Sequence, residues 1–104
     1  MILLSSNDVL EKNTSIEDLK AIMEKCNAIF DELFKNSLKE GKIMVEFELK
    51  KDKNEIQFAV KDDLDLEIMK EFEKRINAEK YPNSKEDPIK FQLIYKVNSF
   101  NDTK

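Results

Sequence analysis

Histidine is absent from the 104 residues, tryptophan is absent, glycine occurs once, cysteine once and proline twice. Each shortage excludes something. Without histidine the chain lacks the commonest general base and the commonest transition-metal ligand, so Ser-His-Asp and Cys-His nucleophilic pairs cannot be assembled. With one glycine it has no Gly-rich phosphate loop and no long flexible linker. A single cysteine, Cys26, forms no intramolecular disulfide. Apolar runs are short: the start, Met1 to Leu4, is the longest uncharged apolar stretch before Ser5. It is too short for a signal or membrane-spanning segment and has no basic flank, so a cytoplasmic chain without a membrane role is expected.

Charge is what the chain has in quantity. Eighteen basic and 22 acidic residues give a net charge of -4, and 38 % of the residues are charged. That balance argues against a sequence-independent grip on nucleic acid, which needs clustered lysine and arginine. The apolar fraction of 40 % with clear periodicity suits one α+β domain over residues 1–104, with 1–13 left without assigned structure and 99–104 expected to fray.

Thr14-x-x-Glu17 and Ser15-x-x-Asp18 both fit a capping box. Ile16, Leu19, Met23, Cys26, Phe30, Leu33 and Ser37 follow at helical spacing, widened by Ile22, Ile29, Phe34 and Leu38. The spacing predicts a helix of six or seven turns stopping at Gly41. "KIMVEFELK" alternates, with Ile43, Val45, Phe47 and Leu49 on one side. After the turn "KDKN", Ile56, Phe58 and Val60 continue the period of two, so a hairpin is expected. Leu64, Ile68, Met69, Phe72 and Ile76 predict a second helix that ends before Tyr81-Pro82. Ile89, Phe91, Leu93, Tyr95 and Val97 predict a late strand. The expected fold is thus α-β-β-α-β: a three-stranded, mainly antiparallel sheet with both helices packed on one face. Its core should hold Leu19, Met23, Phe30, Leu33, Val45, Phe47, Phe58, Phe72, Ile76, Phe91, Leu93 and Tyr95.

Two surfaces are candidates for binding. Asp62, Asp63, Asp65 and Glu67 crowd one short stretch; they either cap the second helix or form an acidic face for a basic partner. Lys90, Gln92, Ile94 and Lys96 lie on the polar side of the late strand, which is expected at a sheet edge with its outer rim open to strand addition. Met44, Glu46, Glu48, Gln57 and Ala59 share the open sheet face with them. Cys26 sits in the apolar stripe and reads as a buried, inert thiol. No metal or cofactor is expected.

Gly41 leading "KIMVEFELK", the helix "LEIMKEFEKRI", the turn "YPNSKEDPIK" and the strand "FQLIYKVN" together resemble the C-terminal domain of the TonB and TolA envelope proteins, over residues 15–98. The match departs in having no tether, no possible disulfide, and Lys53-Asn54 where that family has an Asp-Gly turn. The resemblance implies an untethered adaptor that takes up an extended peptide, as from an envelope protein, by β-augmentation. The residues themselves, small, acidic and without catalytic groups, point first to a non-enzymatic protein-binding module, in its most concrete form an inhibitor or immunity-type protein that blocks a bacterial toxin.

Overall fold

The computed structural model describes residues 1–62 and 64–98. Asp63 and the tail 99–104 lie outside the described residues. The order is β1 (Ile2–Leu3), α1 (Asn7–Asn13), α2 (Ile16–Phe34), β2 (Gly41–Leu49), β3 (Glu55–Lys61), α3 (Leu66–Ala78) and β4 (Ile89–Val97). All strand pairs are antiparallel, in the order β1-β4-β2-β3.

The expected three-stranded sheet with two helices is therefore corrected to four strands and three helices. The extra elements come from residues 1–13. A strand of two residues has no period to detect, and a seven-residue helix carries too few apolar positions to show a stripe. Ser6 caps α1, its hydroxyl accepting the Val9 N–H at 3.4 Å, and Leu10 is buried against the rest.

The long helix also ends early. Beyond Phe34 the chain leaves the α-helix; the Ser37 N–H bonds the Phe34 carbonyl at 3.1 Å, and Leu38 is 96 % exposed. Gly41 is not a helix stop but the first residue of β2. A Cβ placed there would lie 2.5 Å from Leu64 Cδ2 and 2.8 Å from the Lys61 carbonyl oxygen, so close approach demands glycine. Ser15 does cap α2, accepting the Asp18 N–H at 3.1 Å.

The pleat falls as the alternation predicts. Ile43, Val45, Phe47 and Leu49 of β2, and Ile89, Phe91, Leu93, Tyr95 and Val97 of β4, are buried beneath the helices. Phe47 and Phe91 are cross-strand partners with rings stacked 5.0 Å apart. Phe72 of α3 is the hub: its ring meets Phe30, Phe34, Phe58 and Tyr95 edge-on at 5.7–6.2 Å. Of the expected core, Met23, Phe30, Leu33 and Phe58 are only partly buried and pack against its rim; the other eight are buried.

The stretch between the two prolines is tied down by two asparagines. Asn54 donates to the carbonyls of Tyr81 and Pro82, and its carbonyl oxygen accepts the Lys50 N–H at 3.0 Å. Asn13, only 2 % exposed, accepts the N–H groups of Glu86 and Asp87, each at 2.8 Å, and donates to the Val9 carbonyl. Residues 82–88 are held between the hairpin and α1, which sets the entry of β4.

Candidate functional site

The acidic stretch resolves into separate local jobs. Asp65 caps α3, its carboxylate accepting the N–H groups of Glu67 at 3.1 Å and Ile68 at 3.5 Å. Asp62 adopts a left-handed conformation (φ 71°) and turns the chain out of β3, its carbonyl accepting the Leu64 N–H at 3.2 Å. Glu67 lies in the first turn of α3, where a negative charge complements the helix dipole. Asp63 lies outside the described residues. Among the described residues no group of three acidic or thiol side chains is arranged as a metal site.

The late strand is not the edge strand it was expected to be. β4 pairs with β2 along its whole length, from Gly41↔Val97 to Leu49↔Ile89. Its other side pairs with β1 at Phe91 and Gln92, continued by the Leu4 N–H on the Lys90 carbonyl (3.0 Å) and the Lys90 N–H on Ser5 Oγ (2.9 Å). The difference has a simple source: β1, which fills this side, is only two residues long and has no period to detect. Backbone groups alternate sides along a strand, so the N–H and C=O of Lys90 and Gln92 are engaged with the β1 side and those of Ile94 point the same way.

Lys90, Gln92, Ile94 and Lys96 instead project from the open face, where the register joins them into cross-strand rows. Lys90 lies beside Glu48, which lies beside Glu55; Gln92 beside Glu46 and Gln57; Ile94 beside Met44 and Ala59; Lys96 beside Lys42 and Lys61. Gln92 donates to Glu46 at 2.9 Å. Lys50, just past β2, is bonded to the carboxylate of Glu55 and lies 4.0 Å from Glu48. The face thus runs from a mixed end, where Glu46, Glu48 and Glu55 stand with Lys90 and Lys50, through an uncharged row of Ile94, Met44 and Ala59, to a row of three lysines. Met44 and Ile94 are half-buried by their neighbours; Ala59 is exposed.

The rows of lysine and the partners of Ile94 were not legible before the strands were aligned. Lys42 and Lys61 stand 19 residues apart in the chain and meet only through the hairpin register. A second missed feature is apolar. Met1, Ile2, Leu3 and Leu4 are each 45–48 % exposed, and Ile16 is 84 % exposed. Crevices of about 300 Å³ (Leu3, Leu10 and Ile16 with Asn7 and Glu11) and about 260 Å³ (Met1, Ile16, Leu19 and Met23 with Lys20) adjoin them. The uncharged run Met1 to Leu4 is its signal in the sequence.

Cys26 is fully buried, and that burial pushes its thiol up to about 11, away from the thiolate form. Tyr95 and Tyr81 are raised by burial as well. The Tyr95 hydroxyl donates to Asn27 at 2.8 Å and that of Tyr81 to the Ile76 carbonyl at 2.7 Å. Among the described residues no helix is long and apolar enough to cross a membrane.

The chain matches no protein-family model, no curated protein and no solved structure. The TonB/TolA resemblance gains no support from that result, and the four-stranded sheet differs from the three-stranded arrangement on which it was based. An immunity-type or toxin-inhibitor role likewise gains no support.

Proposed function

We propose that this chain is a non-catalytic module that binds a protein partner on the open face of its sheet. One observation carries the reading: all the buried strand residues face the helices, which leaves an uncovered surface with an uncharged row between an end of mixed charge, three glutamates with two lysines, and a lysine end. A face of this kind suits a partner with an apolar centre and acidic groups opposite the lysine row, with the charges orienting the encounter and the centre supplying affinity. The Asp65 carboxylate is occupied with capping α3, which lowers its standing as a contact group.

The test is to recover the partner from native cells with the wild-type chain, then measure affinity for two variants. Ile94→Glu with Met44→Glu should leave the melting transition cooperative and weaken binding at least about tenfold, a loss of about 1.4 kcal/mol. Charge reversal at Glu67 should change affinity by less than about twofold. The reverse ranking sinks the open-face reading.

A second reading, strand addition of an extended peptide, is favoured by one detail. β1 pairs with β4 only as far as Gln92, so the rim at Ile94 has no strand beside it among the described residues. Ile94→Pro, which removes an N–H on that rim, would then abolish binding while Ile94→Val preserved it.

A further inference from the structure

The two neighbours of β4 hold it unequally. Toward β2 the register runs without a break from Gly41↔Val97 to Leu49↔Ile89. Toward β1 it covers only Ile2↔Gln92 and Leu3↔Phe91, continued by the Leu4 N–H on the Lys90 carbonyl and the Lys90 N–H on Ser5 Oγ. Met1, Ile2, Leu3 and Leu4 each keep 45–48 % of their surface in water, so β1 adds little burial to those few bonds. The helix that follows is held far more firmly. Asn13, nearly excluded from water, accepts the Glu86 and Asp87 N–H groups at 2.8 Å, its carbonyl accepts the Lys85 N–H at 3.3 Å, and Leu10 is buried. Ser5 and the extended N-cap Ser6 join the loosely held part to the firmly held one.

We infer that β1 is a releasable strap, hinged at Ser5 and Ser6, that governs how much of the outer rim of β4 is open. Because Asn13 keeps α1 docked, a released β1 stays within a few residues of its place and re-forms its pairs with little closure entropy to overcome. With the strap closed, the rim at Ile94 is the part with no strand beside it among the described residues. With the strap open, the N–H and C=O groups of Gln92 and Lys90 join it, and the rim extends from Ile94 back to Lys90. The occupant it admits is an extended segment of the protein partner that is uncharged and apolar, as Met1 to Leu4 are. Such a segment must cover the surface of Leu10, Leu19 and Met23 that β1 leaves, and Glu11 and Lys20, which also line those crevices, give neither sign of charge an advantage. The occupant rests on the strand-addition reading; the strap itself does not.

The alternation of β4 supplies its own reporter. The amides of Lys90 and Gln92 face β1, whereas those of Phe91, Leu93 and Tyr95 face β2. Successive residues of one strand therefore carry amides that the strap releases and amides that only loss of the sheet releases. Simple loosening of the whole N-terminal segment would look different, because it would also free the Glu86 and Asp87 amides that Asn13 holds.

The experiment is native-state hydrogen exchange of the full chain, read amide by amide, with and without low urea. In the wild-type protein the Leu4 and Gln92 amides should be at least about 100-fold less protected than Leu93, and urea should speed Leu93 but not them. Leu3→Gly weakens β1 alone; it should lower Gln92 protection at least about fivefold and leave Leu93, Glu86 and Asp87 within about twofold. Affinity of Leu3→Gly for the partner recovered from native cells should rise by about the factor by which opening rises. Gln92 and Leu93 protected to within about tenfold of each other in the wild-type chain, or falling together in Leu3→Gly, would show that β1 leaves only when the sheet does, and would overturn the strap. The expected exchange pattern with no gain in affinity would support the strap and sink the strand-addition reading with its occupant.

Discussion

Strands β2 and β4 each present two surfaces built from alternate residues of the same chain, and the two surfaces obey different rules. On the covered side every position is apolar and nearly excluded from water: Phe47 and Phe91 stack across the strands, and Phe72 closes over Tyr95. On the open side, one residue away, the rows pass from mixed charge to Met44 and Ile94 to lysines. The difference teaches where each kind of information sits. Stability is concentrated on the covered face, where a lost methylene leaves a cavity, while the open face is free to be arranged for recognition.

The largest effect should come from breaking that contrast at Phe47. Phe47→Ala empties a fully buried site and should cost about 3–5 kcal/mol, whereas Met44→Ala, three residues earlier on the open face, should cost less than about 1 kcal/mol. Denaturant midpoints of the two variants measure the contrast directly. Equal losses would mean that the open face is covered in solution, as by a partner or a second copy.

Asn13 should come next. Its side-chain oxygen is the acceptor for both the Glu86 and Asp87 N–H groups. Asn13→Leu leaves both donors without it in a nearly water-free site, which should cost about 2–4 kcal/mol. The loss should appear as fast hydrogen exchange in residues 84–90 before global unfolding. Slow exchange there in the variant would show that Asn54 and the backbone bonds of Ser84 and Lys85 hold the loop without the Asn13 side chain.

The covered face was largely legible in the sequence, because burial forces a period: two in β2, β3 and β4, about 3.6 in α2 and α3. Asp65 as a cap was legible for the same local reason. What was not legible depends on register and on short elements. The row of Lys42, Lys61 and Lys96 exists only after three strands are aligned. β1 is too short to announce itself, and missing it placed β4 at an edge when in fact β1 and β2 flank it. Asn13 could not be read as an anchor, because its two partners lie 73 and 74 residues away. Gly41 misled because glycine marks both helix stops and tight approaches, and the structure uses the second.

At the margin of the two faces, Asp65 and Asp62 should move stability in opposite directions. Asp65→Ala removes the α3 cap and should cost about 1 kcal/mol. Asp62 holds a positive φ that glycine adopts without strain, so Asp62→Gly should stabilise by a few tenths to about 1 kcal/mol. Thermal melts at neutral pH measure both signs. A destabilised Asp62→Gly would show that its carboxylate, and not only its backbone, does work at the end of β3.

The last contrast is in how the two faces titrate, and at neutral pH it is silent. With no histidine in the chain, no side chain of ordinary pKa changes charge between pH 5 and 8. The covered side responds above that range. Burial raises the Cys26 thiol from 9.0 to about 11, and it raises the Tyr95 phenol too. Both groups hold their protons more tightly folded than unfolded, so above about pH 9 the unfolded chain binds fewer protons and stability falls as pH rises. On the open side the sign is the other way at the end of mixed charge: Lys50 lowers the Glu55 carboxyl, so that contribution is present at neutral pH and fades as pH drops through the carboxylate range. Because the Glu55 and Lys50 side chains reach solvent, salt should screen it away. Melting curves from pH 7 to about 11 should therefore show an alkaline decline that added salt does not remove and that Tyr95→Phe makes shallower. An alkaline decline unchanged in Tyr95→Phe would mean that the phenol is reached by solvent before the helices open, and that the covered face is less closed over β4 than its packing shows.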